Sequence, residues 1–107
     1  MLGTYTVILI TVPTREEALK ISRDLLEKKL IACINILDNV HSLYWWKGKI
    51  EEGKELLLVI KTRLDLFEKV LESVKRLHSY EVPEVIALPI IAGNRDYLKW
   101  IDESVEA

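Results

Sequence analysis

Two kinds of hydrophobic pattern alternate along the chain: short runs rich in β-branched and aromatic residues, and stretches in which apolar side chains recur every three or four positions. Thr4 to Val12 is of the first kind and predicts a strand, ended by Pro13. Thr14-Arg15-Glu16-Glu17 has the form of a capping box, in which the Thr14 hydroxyl bonds the Glu17 amide and the Glu17 side chain reaches back. The helix it opens is predicted to run to about Lys29, with Ala18, Ile21, Leu25 and Leu26 as its apolar stripe. Leu30 to Leu37 predicts a second strand, Asp38-Asn39 a turn, and His41 to Trp46 an extended aromatic segment. Lys47-Gly48 marks a hairpin tip, and the return from Lys49 to Thr62 is polar at first, then continuously apolar from Leu56 to Ile60. Gly53 is a candidate bulge.

Asp65-Leu66-Phe67-Glu68 looks like a second capping box, and Phe67, Val70, Leu71, Val74 and Leu77 follow at helical spacing. That helix is expected to stop near His78, before Pro83. Val85 to Ile91 predicts a fourth strand, and Pro89 within it calls for an edge position or a bulge. Gly93-Asn94 starts a last helix carrying Tyr97, Leu98, Ile101 and Val105. The order is β-α-β-β-α-β plus a terminal helix: an α+β, ferredoxin-like sandwich in a single domain over residues 1–107.

Helices on one face of such a sheet leave the other to alternate with polar residues. These strands do not alternate. Leu56 to Ile60 and Val85 to Leu88 are apolar on both faces, and in the second strand Leu30, Ala32, Ile34 and Ile36 fill one face while Ile31, Cys33 and Leu37 load the other. Left in water, that face exceeds the few hundred Å2 (roughly) that monomers expose. A partner subunit is the expected cover, with a hairpin arm tipped by Tyr44-Trp45-Trp46 reaching to the neighbour and pairing its edges. The plainer alternative is that the terminal helix folds over this face.

Composition narrows the function. The chain has 107 residues, 50% of them hydrophobic, which suits one domain with a real core. A net charge of −2 without a basic stripe disfavours nucleic-acid binding. Cys33 is the sole cysteine, so no internal disulfide forms. The apolar runs fall short of the ~18 residues of a membrane span, and Met1 to Tyr5 lacks the basic start of a signal peptide. A cytoplasmic protein is expected, without nucleic acid or membrane as partner. The charged set is led by Glu and Lys, and glutamine is missing, a composition that leans toward thermophiles.

Several runs carry a family resemblance. Ala32-Cys33-Ile34-Asn35, the segment from Ser42 to Ile50 with Tyr44-Trp45-Trp46-Lys47-Gly48-Lys49 at its centre, Glu55, Lys61-Thr62, and His78-Ser79-Tyr80-Glu81-Val82-Pro83-Glu84 are similar to the central segments of the CutA family. Tyr97-Leu98-Lys99-Trp100 resembles that family's closing helix. The match runs in order over nearly the whole chain. The resemblance implies a ferredoxin-like subunit and a tight homotrimer like that of the PII signalling proteins, with sheets packed inward and clefts between subunits. It also implies tolerance to divalent metals, copper above all. Some members carry a cysteine, proposed as a copper ligand, where this chain has Ile10. Some carry two histidines where it has Leu77-His78, and Ser79 replaces the usual proline. A copper site copied from those members lacks most of its ligands here.

The candidate residues each have two readings. Cys33 is a soft ligand suited to Cu(I), or a small buried apolar side chain. His78 is a metal ligand, or a helix C-terminal histidine favoured by the helix dipole; metal sites call for three or four ligands. His41 has no partner in view and reads as a turn residue. Asn35 in a core strand needs hydrogen-bond partners. It is expected at the trimer interface with Cys33, Tyr44, Trp45, Trp46 and Trp100. Carried over from the family, Trp46, Glu55, Lys61, Tyr80 and Glu84 line an inter-subunit cleft able to hold a small anion or a metal, or form a salt-bridged rim. Neither a Ser-His-Asp set, a Gly-rich phosphate loop nor HExxH is found. Binding rather than catalysis is therefore expected, with a divalent cation such as copper as the ligand the resemblance implies. A PII-like regulatory module with a small ligand in the cleft, and a stable trimeric assembly scaffold, are the alternatives.

Overall fold

Residues 4–105 are described by a computed structural model. Met1 to Gly3, on which the reading of the N-terminus partly rests, lie outside the described residues. β1 (Tyr5–Val12) buries every second side chain, and Ile8, Ile10 and Val12 are fully enclosed. β2 (Cys33–Trp46), β3 (Lys49–Arg63) and β4 (Val85–Pro89) complete a sheet of order β2-β3-β1-β4, antiparallel throughout. α1 (Arg15–Glu27) and α2 (Phe67–Leu77) cover one face. There Ala18, Ile21, Leu25, Val70 and Val74 close on Ile8, Ile10, Leu58 and Ile60 in the core. This is the expected ferredoxin-like arrangement, with α3 (Arg95–Ser104) added at the end.

The first capping box is half formed. Thr14 Oγ1 accepts the Glu17 N–H at 3.1 Å, but the Glu17 carboxylate turns away and accepts the Ser79 N–H at 3.2 Å. The helix stops at Glu27, two residues early, because Lys29 takes a left-handed conformation (φ 56). The second capping box does not form. Arg63 grips Asp65 through two hydrogen bonds of 3.0 and 2.6 Å, which takes the cap's acceptor. Leu64–Leu66 becomes a 3-10 turn, and α2 begins at Phe67 without a side-chain cap. At the last helix the expectation holds: Asn94 Oδ1 accepts the Asp96 N–H at 2.9 Å. β4 is an edge strand and ends on Pro89, where the missing N–H costs no ladder bond.

The larger difference concerns Asp38-Asn39. These residues do not turn the chain; they form a bulge inside one continuous strand, between the pairs Leu37↔Leu57 and Val40↔Glu55. Asn39 is left-handed (φ 62), a conformation that asparagine tolerates. Gly53, the candidate bulge, pairs in register with Ser42.

α3 answers part of the question of the second sheet face. Tyr5, Cys33 and Arg63 point to the side opposite Ile8, Ile34 and Ile60. Asp102 on α3 accepts the Tyr5 hydroxyl at 2.5 Å and lies 3.6 Å from the Arg63 guanidinium, while the Tyr97 phenol lies near the Cys33 thiol. The terminal helix therefore folds over one end of this face. Farther along, Leu37, Ile86 and Leu88 are 45%, 47% and 48% exposed.

Candidate functional site

β1 pairs with β3 only over Leu56 to Arg63, so β2 and β3 run on from Val40 and Glu55 as a two-stranded arm. The arm turns through Lys47 (φ 51) and Gly48 (φ 80). Positive φ at both central residues is a type I′ hairpin turn, whose twist matches the strands it joins. A Cβ on Gly48 meets no atom within 4 Å, so its backbone conformation alone demands glycine. Trp45 is 72% and Leu43 65% exposed.

The bulge decides which arm residues share a side. One extra residue in β2 reverses the alternation, so Val40, Ser42, Tyr44 and Trp46 pair with residues on the Glu55 side of β3. Tyr44 and Trp46 thus face the same way as Glu55. Between them and the connection that follows α2 lies a cleft of about 830 Å3. That connection contributes Ser79, Tyr80, Glu81 and Glu84, and β1 contributes Thr11.

Glu55 is the polar centre of the cleft. It is 8% exposed, and its Oε2 accepts the Tyr80 hydroxyl at 2.6 Å. Burial, then the bond to Glu55, pushes the Tyr80 phenol far above its ordinary range, so it stays a proton-bearing donor. Among the described residues no basic side chain forms an ion pair with Glu55.

His78 sets Tyr80 in place. Its side chain is fully enclosed. Nε2 faces the Thr11 carbonyl oxygen at 2.7 Å and must carry the hydrogen. Nδ1 then accepts the Tyr80 N–H at 3.0 Å, with Glu17 Oε2 at 3.4 Å on the same side. The imidazole packs on the Tyr80 ring at 4.7 Å. Both nitrogens are used, so as folded the ring offers no free lone pair to a metal. Among the described residues no three His, Cys, Asp or Glu side chains are grouped to hold a metal ion.

Of the residues expected in the cleft, Trp46, Glu55, Tyr80 and Glu84 are brought together. Lys61 is not. It lies farther along β3, donating to Asn35 Oδ1 on the sheet face. Cys33 is half-buried on that face beside Tyr97, away from His78. Trp100 packs on Tyr97 at 5.4 Å on α3. His41, read as a turn residue without a partner, hydrogen-bonds Glu52 across the arm. Sequence reasoning missed Tyr44, Glu81 and Thr11 as lining residues. Tyr44 and Glu81 stand inside the quoted motifs, but the Thr11 contribution to His78 is a backbone carbonyl, which leaves no trace in residue type.

The sequence model of the CutA1 divalent ion tolerance protein family matches residues 6–104. This chain belongs to that family. The divalent-cation tolerance protein CutA of Thermus thermophilus is 50% identical over 98 residues, which cover 92% of this chain and 95% of that protein. The divalent-cation tolerance protein CutA of Archaeoglobus fulgidus is 47% identical over 102 residues, 95% of this chain and 99% of the relative. A solved structure of the Thermus thermophilus divalent cation tolerance protein superposes with a TM-score of 0.93 at 48% identity, covering 95% of this chain and 99% of that one. The fold of this chain is thus the ferredoxin-like fold of the CutA1 structures.

Proposed function

We propose that this protein serves divalent-cation tolerance as a homotrimer that acts by binding, not by catalysis, with copper among its cations. The observation that carries the reading is Glu55: a carboxylate 8% exposed, in the wall of a cleft, hydrogen-bonded to a neutral phenol. A carboxylate so placed favours a cation that restores the solvation it has lost. Family membership supports the divalent-cation role. The half-exposed Leu37, Ile86 and Leu88 and the aromatic arm support a second and third copy as cover, since a two-stranded arm is marginal alone. Among the described residues the carboxylates of one chain make an incomplete metal site, so a neighbouring subunit is the proposed source of further ligands. The lone thiol of Cys33 supports a reducing compartment, the cytoplasm. A PII-like regulator holding an anion has less support, because Lys61 is engaged with Asn35 outside the cleft.

The test is calorimetric titration of the metal-stripped protein with Cu(II) and Zn(II), with mass by light scattering on the same sample. Saturable binding at a stoichiometry tied to a trimer, weakened at least tenfold in Glu55→Gln, is the expected result. Absence of binding by a clean trimer removes the binding mechanism, and a monomer removes the assembly.

A further inference from the structure

The cleft is built from more than carboxylates. Tyr44 and Trp46 on the arm and Tyr80 on the facing connection share it with Glu55, Glu81 and Glu84. Among the described residues that line it there is no Lys or Arg, and the His41 imidazole is already bonded to Glu52. A hydrated metal ion makes use of carboxylates and gains little from aromatic walls, because it holds its oxygen ligands tightly. An alkylated ammonium behaves in the opposite way. It is weakly hydrated, it is drawn to the negative faces of Trp and Tyr rings, and a carboxylate answers its charge. A space of about 830 Å3 suits an organic molecule and far exceeds one ion. The chain supplies its own example of the attraction: the Lys47 ammonium lies 5.7 Å from the centre of the Trp46 ring.

We propose that this cleft binds a small organic cation, an alkylated ammonium held against Tyr44, Trp46 and Tyr80 with Glu55 as its counter-charge. The inference rests on the reading of the cleft as a cation site and goes beyond it in the chemistry of the ligand. Rings and carboxylate together select for positive charge spread over an apolar surface. Lys47 is the internal competitor for Trp46.

Choline is the probe, titrated into the full chain and followed by tryptophan fluorescence and calorimetry. Its control is the uncharged tert-butyl analogue, in which carbon replaces nitrogen at unchanged shape. Saturable choline binding is expected, with the analogue at least tenfold weaker. Trp46→Leu is expected to weaken choline about tenfold and Trp46→Phe, which keeps a ring, far less. Lys47→Asn, at a turn position that favours asparagine, is expected to tighten it. Equal binding of choline and its analogue overturns the proposal, and that comparison needs no variant to fold. Metal binding without choline binding overturns it and leaves the metal reading standing. Choline binding without metal binding does the reverse. If a basic side chain of a second copy fills the cleft, the associated protein takes up no choline, and the proposal fails.

Discussion

The two faces of the sheet are made from the same strands and meet different ends. Under α1 and α2, Ile8, Ile10, Leu58 and Ile60 are wholly buried within an apolar cluster. On the opposite side, α3 covers the end near Tyr5 and Arg63, while Leu37, Ile86 and Leu88 stay about half exposed and Lys61 sits on the same face with Asn35. The first face is a finished core, and its residues answer only to packing. The second mixes apolar surface with polar groups and runs into the arm and the cleft. The proposed site lies on the unfinished side, where accessible surface and polar groups occur together.

Truncation on each face is the strongest way to break this comparison. Ile60→Ala is expected to cost about 2–5 kcal/mol in denaturant unfolding, the loss of a fully enclosed aliphatic side chain plus its cavity. Leu88→Ala is expected to leave the fold of one subunit nearly unchanged and to act on light-scattering mass instead. Equal losses of unfolding free energy at the two positions would show the second face to be core as well. Tyr80→Phe comes next. It removes a hydrogen bond to a carboxylate and is expected to cost about 1.5 kcal/mol in thermal or denaturant unfolding. It should also loosen the connection, seen as faster amide exchange at Ser79 and Tyr80.

Thr14→Ala sharpens the comparison from the core side. Loss of the cap on α1 is expected to cost about 1 kcal/mol, measured as a denaturant midpoint. The smallest effect is expected at Asp65. The Arg63 guanidinium holds its carboxyl below the usual range. A lowered folded-state value means the pair adds stability above the unfolded value of about 3.9. That contribution is lost as pH falls through the folded value. Because Asp65 is largely exposed, solvent screens the effect. Asp65→Asn should slightly flatten the acid limb of stability against pH; an unchanged limb would show the pair to be inert.

Much of the fold was legible in residue pattern. The helix of Val70 and Val74, the strand that ends at Pro13, the Asn94 cap and the Lys47-Gly48 tip all came from local chemistry that nothing elsewhere in the chain contests. The second capping box failed because Arg63 competes with the helix for Asp65, and sequence spacing does not rank two such local rules. The cleft was half legible. Trp46, Glu55, Tyr80 and Glu84, grouped by resemblance, line one cleft of this chain, while Lys61 stands farther along β3, bonded to Asn35. His78 stood out as a metal candidate, yet the fold commits both its nitrogens to a backbone carbonyl and a backbone amide.

By itself, the sequence determined the order of the strands and helices and most of their extents, and that more apolar surface exists than α1 and α2 can cover. These follow from side-chain periodicity and turn chemistry, which act over a few residues. The tertiary structure alone decided what shares a side. One extra residue at Asp38-Asn39 reverses the alternation of β2 and turns Tyr44 and Trp46 toward Glu55. The docking of α3 on Tyr5 and Arg63, and the seat of His78 between β1 and Tyr80, depend on contacts between residues far apart in the chain. Such contacts are set by where whole elements come to rest, and no local pattern encodes that.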